Sequence, residues 1–228
     1  MFRNLGGWGE EQKLEIFDPK FVSALRPKTG YAQVLAMPGH KSHGEMEKVM
    51  KNVEIRPADI GDAEDILKIY TYYVTETAIS FEYDVPTLDD FKGRMEKILE
   101  KYPYFVAVCD NRVVGYAYAG AFVGRAAYAW SAEATIYIDA SEVKRGIGKM
   151  LYEALENALM EMEITNLYAC IGYTETEDEY LNANSAQFHE HMGFEKCGEF
   201  HKCGYKFGRW YDMIWMEKII GRHGNLVL

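Results

Sequence analysis

The 228-residue chain is 48% hydrophobic and 26% charged, the balance of an ordinary soluble globular protein with room for one sizeable core. Its formal net charge of -10 disfavours nucleic acid as a partner, because neutralising phosphates takes a clustered basic face. The opening Met1-Phe2-Arg3-Asn4-Leu5 lacks the apolar run of a secretion signal, and Val113 to Gly124 is too short and glycine-rich to span a bilayer. We therefore expect a cytoplasmic protein without membrane contact.

Residues 1–52 read as an N-terminal extension, with scattered glycines and prolines and a short charged helix over Glu45 to Lys51. A domain over 53–220 then opens on the strand Val53 to Pro57, with Asp59 placed to cap a helix. Ile60, Ala63, Ile66, Leu67, Ile69 and Tyr70 recur at helical spacing after it. Ser80 to Pro86 reads as a loop, because proline disfavours helix at the residue before it. A second helix is predicted from Leu88 to about Lys101. Two apolar runs, Tyr104 to Cys109 and Val113 to Ala121, flank Asp110-Asn111-Arg112 as a hairpin.

Trp130 to Leu155 organises the rest. Thr135, Ile136, Tyr137 and Ile138 are β-branched or aromatic and suit a buried strand. From Leu151 the apolar residues recur at helical spacing, so a helix begins near Gly146 and ends near Glu163. The intervening loop places Gly146, Gly148 and the cations Lys144, Arg145 and Lys149 at a helix N-terminus, whose first amides lack partners and attract anions. The spacing is neither a Walker loop nor a three-glycine dinucleotide fingerprint, and taken alone it also fits an ordinary helix start. Leu167 to Ile171 is another buried strand. A helix over Ala183 to Met192 stops at Gly193, and strands from Phe194 to Phe200 and from Trp210 to Glu217 close the domain, leaving 221–228 as a tail. Strands alternating with helices predict an α/β fold, a mixed sheet flanked by helices.

Cys109, Cys170, Cys197 and Cys203 show no disulfide framework, and Cys197, His201 and Cys203 fit no common zinc module, so no metal is expected. His189-Glu190-His191 is not the two-turn zinc motif of metalloproteases.

The segment Val143-Lys144-Arg145-Gly146-Ile147-Gly148 resembles the Q/R-x-x-G-x-G/A pyrophosphate loop of the GNAT superfamily of N-acetyltransferases. Arg125 to Ile138 is similar to the phosphinothricin and methionine sulfoximine acetyltransferases within it, and the likeness runs from about Val53 to about Ile220. The resemblance implies the GNAT fold with a central, mostly antiparallel sheet, and acetyl-CoA as co-substrate. It implies that a bulge frees backbone groups of Ile136, Tyr137 and Ile138 along the thioester arm, with the pyrophosphate over Val143, Lys144, Arg145, Gly146, Ile147, Gly148 and Lys149. Val143 stands where Gln or Arg is usual, which removes a side-chain contact and leaves the amides. Asn182-Ala183-Asn184-Ser185 matches the family's N-x-x-S, so Asn182 and Ser185 are expected near the cofactor arm.

Glu133 is the candidate general base, the alternative being a solvent-side strand residue. An amine of pKa about 8 facing a carboxylate of about 4.3 leaves roughly 5 kcal/mol uphill, so burial beside Tyr128 and Trp130 has to raise Glu133, desolvation has to lower the amine, or water has to relay the proton. His189 stands where many relatives have a tyrosine that protonates the leaving thiolate, and an imidazole near neutrality could supply that proton, helix packing being the other reading. Arg125 offers a guanidinium fork for an acceptor's carboxylate or phosphinate, and Phe81, Phe122, Tyr128 and Trp130 would wall the acceptor pocket. Lys206 to Asp212 follows the family's K-x-G-x-W-x-D. The acidic stretch Glu175 to Glu179 could select cationic acceptors or be a solvated loop.

The expected activity is transfer of acetyl from acetyl-CoA to the primary amine of a small amino-acid-like acceptor by direct attack, in a homodimer. A peptide N-terminus or lysine is the second acceptor class, and a noncatalytic acyl-CoA-binding module, which would not need Glu133, is the competing reading.

Overall fold

The computed structural model describes residues 52–224, so all but the last residue of the extension read over residues 1–52, with its short helix, and the last four residues of the tail lie outside the described residues. Seven strands form one sheet in the order β1-β2-β3-β4-β5-β7-β6. They are β1 (Val53–Pro57), β2 (Tyr104–Cys109), β3 (Arg112–Ala121), β4 (Ser131–Ile138), β5 (Asn166–Tyr173), β6 (Glu195–Lys206) and β7 (Arg209–Ile219). Only β4 and β5 pair in parallel; every other neighbour is antiparallel.

The helices are α1 (Ala63–Thr75), α2 (Leu88–Leu99), α3 (Ile147–Glu161) and α4 (Asn184–His191). Asp59 caps as expected: its carboxylate accepts from Gly61 N at 2.7 Å and Asp62 returns a bond to Asp59 N. The cap starts a short 3-10 turn, Ile60–Asp62, that hands over to α1. Thr87 caps α2, and Gly193, at φ +87°, stops α4 as a left-handed glycine should.

Alternation along the strands splits the apolar residues between two layers. Ala117, Ala119, Ala132, Ala134 and Leu167 face α3 and α4, where Leu151, Leu155 and Leu159 are fully buried. On the opposite face Tyr104, Val106 and Tyr116 meet Ile66, Val74, Phe91 and Met95 of α1 and α2. Those two helices rest mainly on β3 and β4, so on this face the β5-β7-β6 half lies beyond them.

The hairpins are tighter than the sequence suggests. Asp110 and Asn111 both have positive φ, so two residues turn β2 into β3 and Arg112 is already in the strand. Phe207 and Gly208, at φ 51° and 75°, do the same for β6 and β7, extending β6 to Lys206 through an irregular stretch between Phe200 and Gly204. No helix among the described residues is long and apolar enough to cross a membrane.

Candidate active site

The site begins where β4 parts from β5. β3 and β4 pair without a register shift from Gly115 with Ile138 to Ala121 with Ala132. Facing residues of an antiparallel pair exchange both hydrogen bonds or neither, in alternation. Asp139 donates to the Val114 carbonyl, which puts Tyr137 in a bonded pair with Tyr116 and turns the peptide groups of Ile136 and Ile138 away from β3. On that side β5 pairs with β4 only over Ser131, Ala132 and Glu133. Beyond Glu133 the strands diverge, leaving the Ile136 amide and carbonyl and the Ile138 amide without a ladder partner, while the Ile138 carbonyl accepts from the Tyr73 hydroxyl. Two expectations are corrected here. Divergence, not a bulge, opens this edge of β4, and the peptide groups of Tyr137 belong to the ladder with β3.

The loop after β4 leads to α3, whose first amides, Ile147, Gly148 and Lys149, have no acceptor inside the helix. Gly146 sits at φ +81°, a left-handed conformation that glycine adopts without strain. Gly148 also meets a packing need. A Cβ there would lie 3.0 Å from the Phe188 ring, so this glycine lets α4 pack on α3.

Electrostatics in the loop also differ from a set of free cations. Arg145 is paired with Glu142, whose other oxygen takes Arg112 at 2.8 Å, and Arg112 also bonds Asp139. Lys149 lies 3.7 Å from Glu153. Lys144, at φ 63°, makes no ion pair among the described residues, and Val143 is exposed. The loop is thus braced by its own ion pairs, and the helix amides carry most of its capacity to hold an anion.

Glu133 is half-buried on the face opposite α3, directly across from Tyr168 and Gly120. Burial raises its carboxyl above the ordinary glutamate range. Its neighbours differ in part from those expected. Trp130 lies just outside the strand, out of phase with Glu133, and its carbonyl accepts from Thr165 N and Asn166 N to dock β4 on β5. The surroundings of Glu133 come from Tyr118 and Cys170, which both feel its charge. The Cys170 thiol is pushed up to about 11 by desolvation first and Glu133 second, so it stays protonated at neutral pH and is a poor nucleophile.

Phe122 stacks on Tyr168 at 4.0 Å and meets Tyr128 and Trp215 edge-on. Tyr168, Cys170 and Gly172 form a row on β5 from Phe122 toward Phe81, which fills the space left by Gly204 and Gly172. Sequence reading missed Tyr168, Cys170 and Trp215. Alternation within Leu167 to Ile171 marks the face of Tyr168 and Cys170, but only the register shows that it is the face of Glu133. Arg125 is exposed on the loop before the 3-10 turn Ala126–Tyr128 and makes no side-chain bond among the described residues.

The expectation that His189 titrates near neutrality is corrected. The ring is 4% exposed, and burial lowers it to about 4. Nδ1 faces the Ser185 carbonyl at 2.7 Å and must donate to it, so Nε2 accepts from the Tyr152 hydroxyl, also at 2.7 Å. A neutral imidazole with both nitrogens engaged has no proton to release at neutral pH. Replacing His189 with glutamine should leave the pH profile of kcat unchanged in shape while costing about 1–3 kcal/mol of stability, because the buried Tyr152 hydroxyl loses its acceptor. With a lowered folded value, this histidine costs stability as pH falls from about 6.5 to about 4. Urea midpoints at pH 7 and pH 4.5 should therefore differ less in the variant than in the parent.

Asn182 Oδ1 accepts from Asn184 N at the start of α4, and Ser185 supplies its carbonyl to His189. The acidic loop is a scaffold. Asp178 accepts from Tyr180 N, Leu181 N and Tyr211 and pairs with Arg209, which also holds Glu179. Glu199, His201 and Asp212 cluster at metal-binding distances in place of Cys197, His201 and Cys203. Their carboxylates already hold Lys196 and Lys202 N, and the His201 side chain is 74% exposed.

Lys206 is 3% exposed, and its ammonium donates to the carbonyls of Val74, Thr77 and Ser80 at 2.8, 2.9 and 2.6 Å. All three donors are satisfied, and the bonds pin the end of α1 and the loop bearing Phe81 to the β6–β7 hairpin.

The Acetyltransferase (GNAT) domain family matches residues 55–215. The chain is 30% identical over 173 residues to a phosphinothricin N-acetyltransferase of Streptomyces viridochromogenes, covering 76% of this chain and 91% of that protein. It is 26% identical to an L-methionine sulfoximine/L-methionine sulfone acetyltransferase of Salmonella typhimurium, over 74% of this chain and 95% of the other. A phosphinothricin acetyltransferase from Sinorhizobium meliloti, solved with acetyl-CoA, superposes with a TM-score of 0.69 at 31% identity, covering 75% and 89% of the two chains.

Proposed function

This chain belongs to the GNAT acetyltransferase family, and on that premise we propose that it moves acetyl from acetyl-CoA to the primary amine of a small amino-acid-like acceptor. The observation that carries the reading is the parting of β4 and β5, which leaves the peptide groups of Ile136 and Ile138 open beside a half-buried Glu133.

Acetyl-CoA supplies an activated acetyl thioester. The Ile147, Gly148 and Lys149 amides hold its phosphates, with Lys144 as the adjacent cation and Asn182 and Ser185 along the arm. The open amides of Ile136 and Ile138 offer donors for the thioester carbonyl, a preorganised arrangement that needs no rearrangement during reaction. Glu133 takes the proton of the attacking amine. Its raised carboxyl narrows the gap to the amine, which is what general base catalysis requires. A thiolate of pKa about 8.5 is a good enough leaving group to depart without an enzyme acid. Direct attack draws on no metal.

Arg125 and the Phe122, Tyr128, Tyr168 and Trp215 cluster form the outer wall of the acceptor site, with Phe81 at its far end. The reading includes 53–220 as the catalytic domain, 1–52 as an extension outside it, a cytoplasmic location and a homodimer. Phe200 at 53% and Trp210 at 61% exposure, on the outer hairpin, support the dimer. Coenzyme A release assayed against amino acids, peptides and lysine-bearing substrates tests the function. Turnover of free amino acids in preference to peptides is expected, whereas cofactor binding without turnover of any amine would favour a binding module. Light scattering should give about twice the 26.2 kDa chain mass, and a monomer at micromolar concentration would remove the dimer from the account.

A further inference from the structure

The amides and carbonyls of Ile136 and Ile138 lie on the edge of β4 that its parting from β5 uncovers. All are open except the Ile138 carbonyl, which accepts from the Tyr73 hydroxyl. That bond is made across the fold. Tyr73 belongs to the last turn of α1, on the sheet face opposite α3, whereas Ile138 ends β4 just before the loop that leads to α3.

Tyr73 is held firmly in that position. Its ring lies 4.8 Å from that of Tyr137 and meets Tyr72 edge-on. Its carbonyl accepts from the Thr77 hydroxyl at 2.8 Å, and Lys206 bonds the carbonyls of the adjacent Val74 and of Thr77. Burial pushes the phenol up to about 12, so it stays protonated and donates throughout the neutral range. The need to satisfy a backbone acceptor does not by itself account for the bond, because the Ile136 carbonyl on the same edge has no ladder partner.

We propose that Tyr73 is a positioning residue for acetyl-CoA: by occupying the Ile138 carbonyl it leaves Ile136 as the free acceptor of the two, and so fixes the register in which the amide-bearing arm of acetyl-CoA lies along β4. This rests on the acetyl-transfer reading and adds to it the group that sets how deep the thioester reaches. An extended arm with amide hydrogens pairs with a strand edge much as another strand does, and acceptors on one edge recur every second residue, about 7 Å apart. Were both carbonyls free, the arm would have two registers. In the second it is drawn back by one repeat toward the loop, and the thioester falls short of Glu133 by about that distance. Reaction needs the attacking and attacked atoms within about 3–3.5 Å, so the second register is unproductive. An arm amide that took the Ile138 carbonyl would have to displace the phenol and leave a half-buried hydroxyl unpaired.

Tyr73→Phe keeps the ring on Tyr137 and frees the carbonyl. Calorimetric titration should then show coenzyme A and 4′-phosphopantetheine binding about fivefold tighter than in the parent, the reach of one hydrogen bond. Adenosine 3′,5′-bisphosphate, which lacks the arm, should change by less than about twofold, since a single register change does not touch the phosphate contacts. With acetyl-CoA varied at a saturating amine, kcat and the acetyl-CoA KM should fall together by about fivefold and leave kcat/KM within about twofold, the mark of unproductive binding. Loss of a merely structural bond predicts the opposite, weaker binding. Weaker coenzyme A binding, an acetyl-CoA KM that rises or holds while kcat falls, or no change in either would overturn the assignment. If the parent binds coenzyme A but turns over no amine, acetyl transfer fails separately and the calorimetry alone decides the role of Tyr73. A parent that binds no coenzyme A ends both.

Discussion

Glu133→Gln should lower kcat/KM by about 10²–10⁴, the usual contribution of a positioned general base, with the KM for acetyl-CoA little changed. The parent's kcat/KM should fall on the acid side with an apparent pKa above the ordinary glutamate value, since burial raises this carboxyl and the reaction needs it ionised. The variant should lose that limb. Stability should move the other way. A carboxyl whose folded value is raised makes its stabilising contribution below the unfolded pKa and loses it as pH rises through the folded one, so the neutral amide should melt higher at pH 7 than the parent. A variant that is less active, more stable and without its acid limb separates a base from a structural carboxylate. Retained activity at pH 7 would leave Glu133 a strand residue, and water or a lowered amine pKa would have to do the work.

Lys206→Met should be the most damaging change outside the reacting groups. Methionine fills comparable space but leaves the carbonyls of Val74, Thr77 and Ser80 without their common donor. Buried unsatisfied acceptors cost about 1–3 kcal/mol each, and partial relaxation of the loop brings the expected total to about 3 kcal/mol. For a domain of this size that is a fall in Tm on the order of 10 °C. The catalytic signature should be one-sided. The loop released carries Phe81 and Glu82, so the acceptor KM should rise about tenfold while the acetyl-CoA KM holds. Thermal melts together with a two-substrate kinetic analysis measure both. Lost stability with an unchanged acceptor KM would show that this loop does not shape the acceptor site.

How far the sequence could be read depended on whether the signal was local. The helices and hairpins were visible because their causes lie within a few residues: Asp59 before an apolar period, Asp110-Asn111 between two strands, Gly193 after a helix. The helix start at Gly146 was visible for the same reason. What depended on register was not. That Ile136 and Ile138 face the opening while Tyr137 does not follows from a single bond, Asp139 to Val114, which no periodicity encodes. The row Tyr168, Cys170, Gly172 lies beside Glu133 only because Glu133 is opposite Tyr168. Burial inverted one assignment. A histidine at a suggestive position is, in the fold, a neutral ring held between a carbonyl and a tyrosine hydroxyl. Lys206 was legible only as part of a motif, and its role as a three-way pin required the end of α1 to be brought to it from more than 120 residues away.

The most direct test is a crystal structure of the protein with acetyl-CoA and a slow acceptor. The account predicts phosphate oxygens on the amides of Ile147 to Lys149, the thioester carbonyl facing the open amides of Ile136 and Ile138, and the acceptor nitrogen between the thioester and the Glu133 carboxylate. A cofactor lying away from the gap between β4 and β5, or a Glu133 separated from the acceptor nitrogen by more than one water, would contradict it.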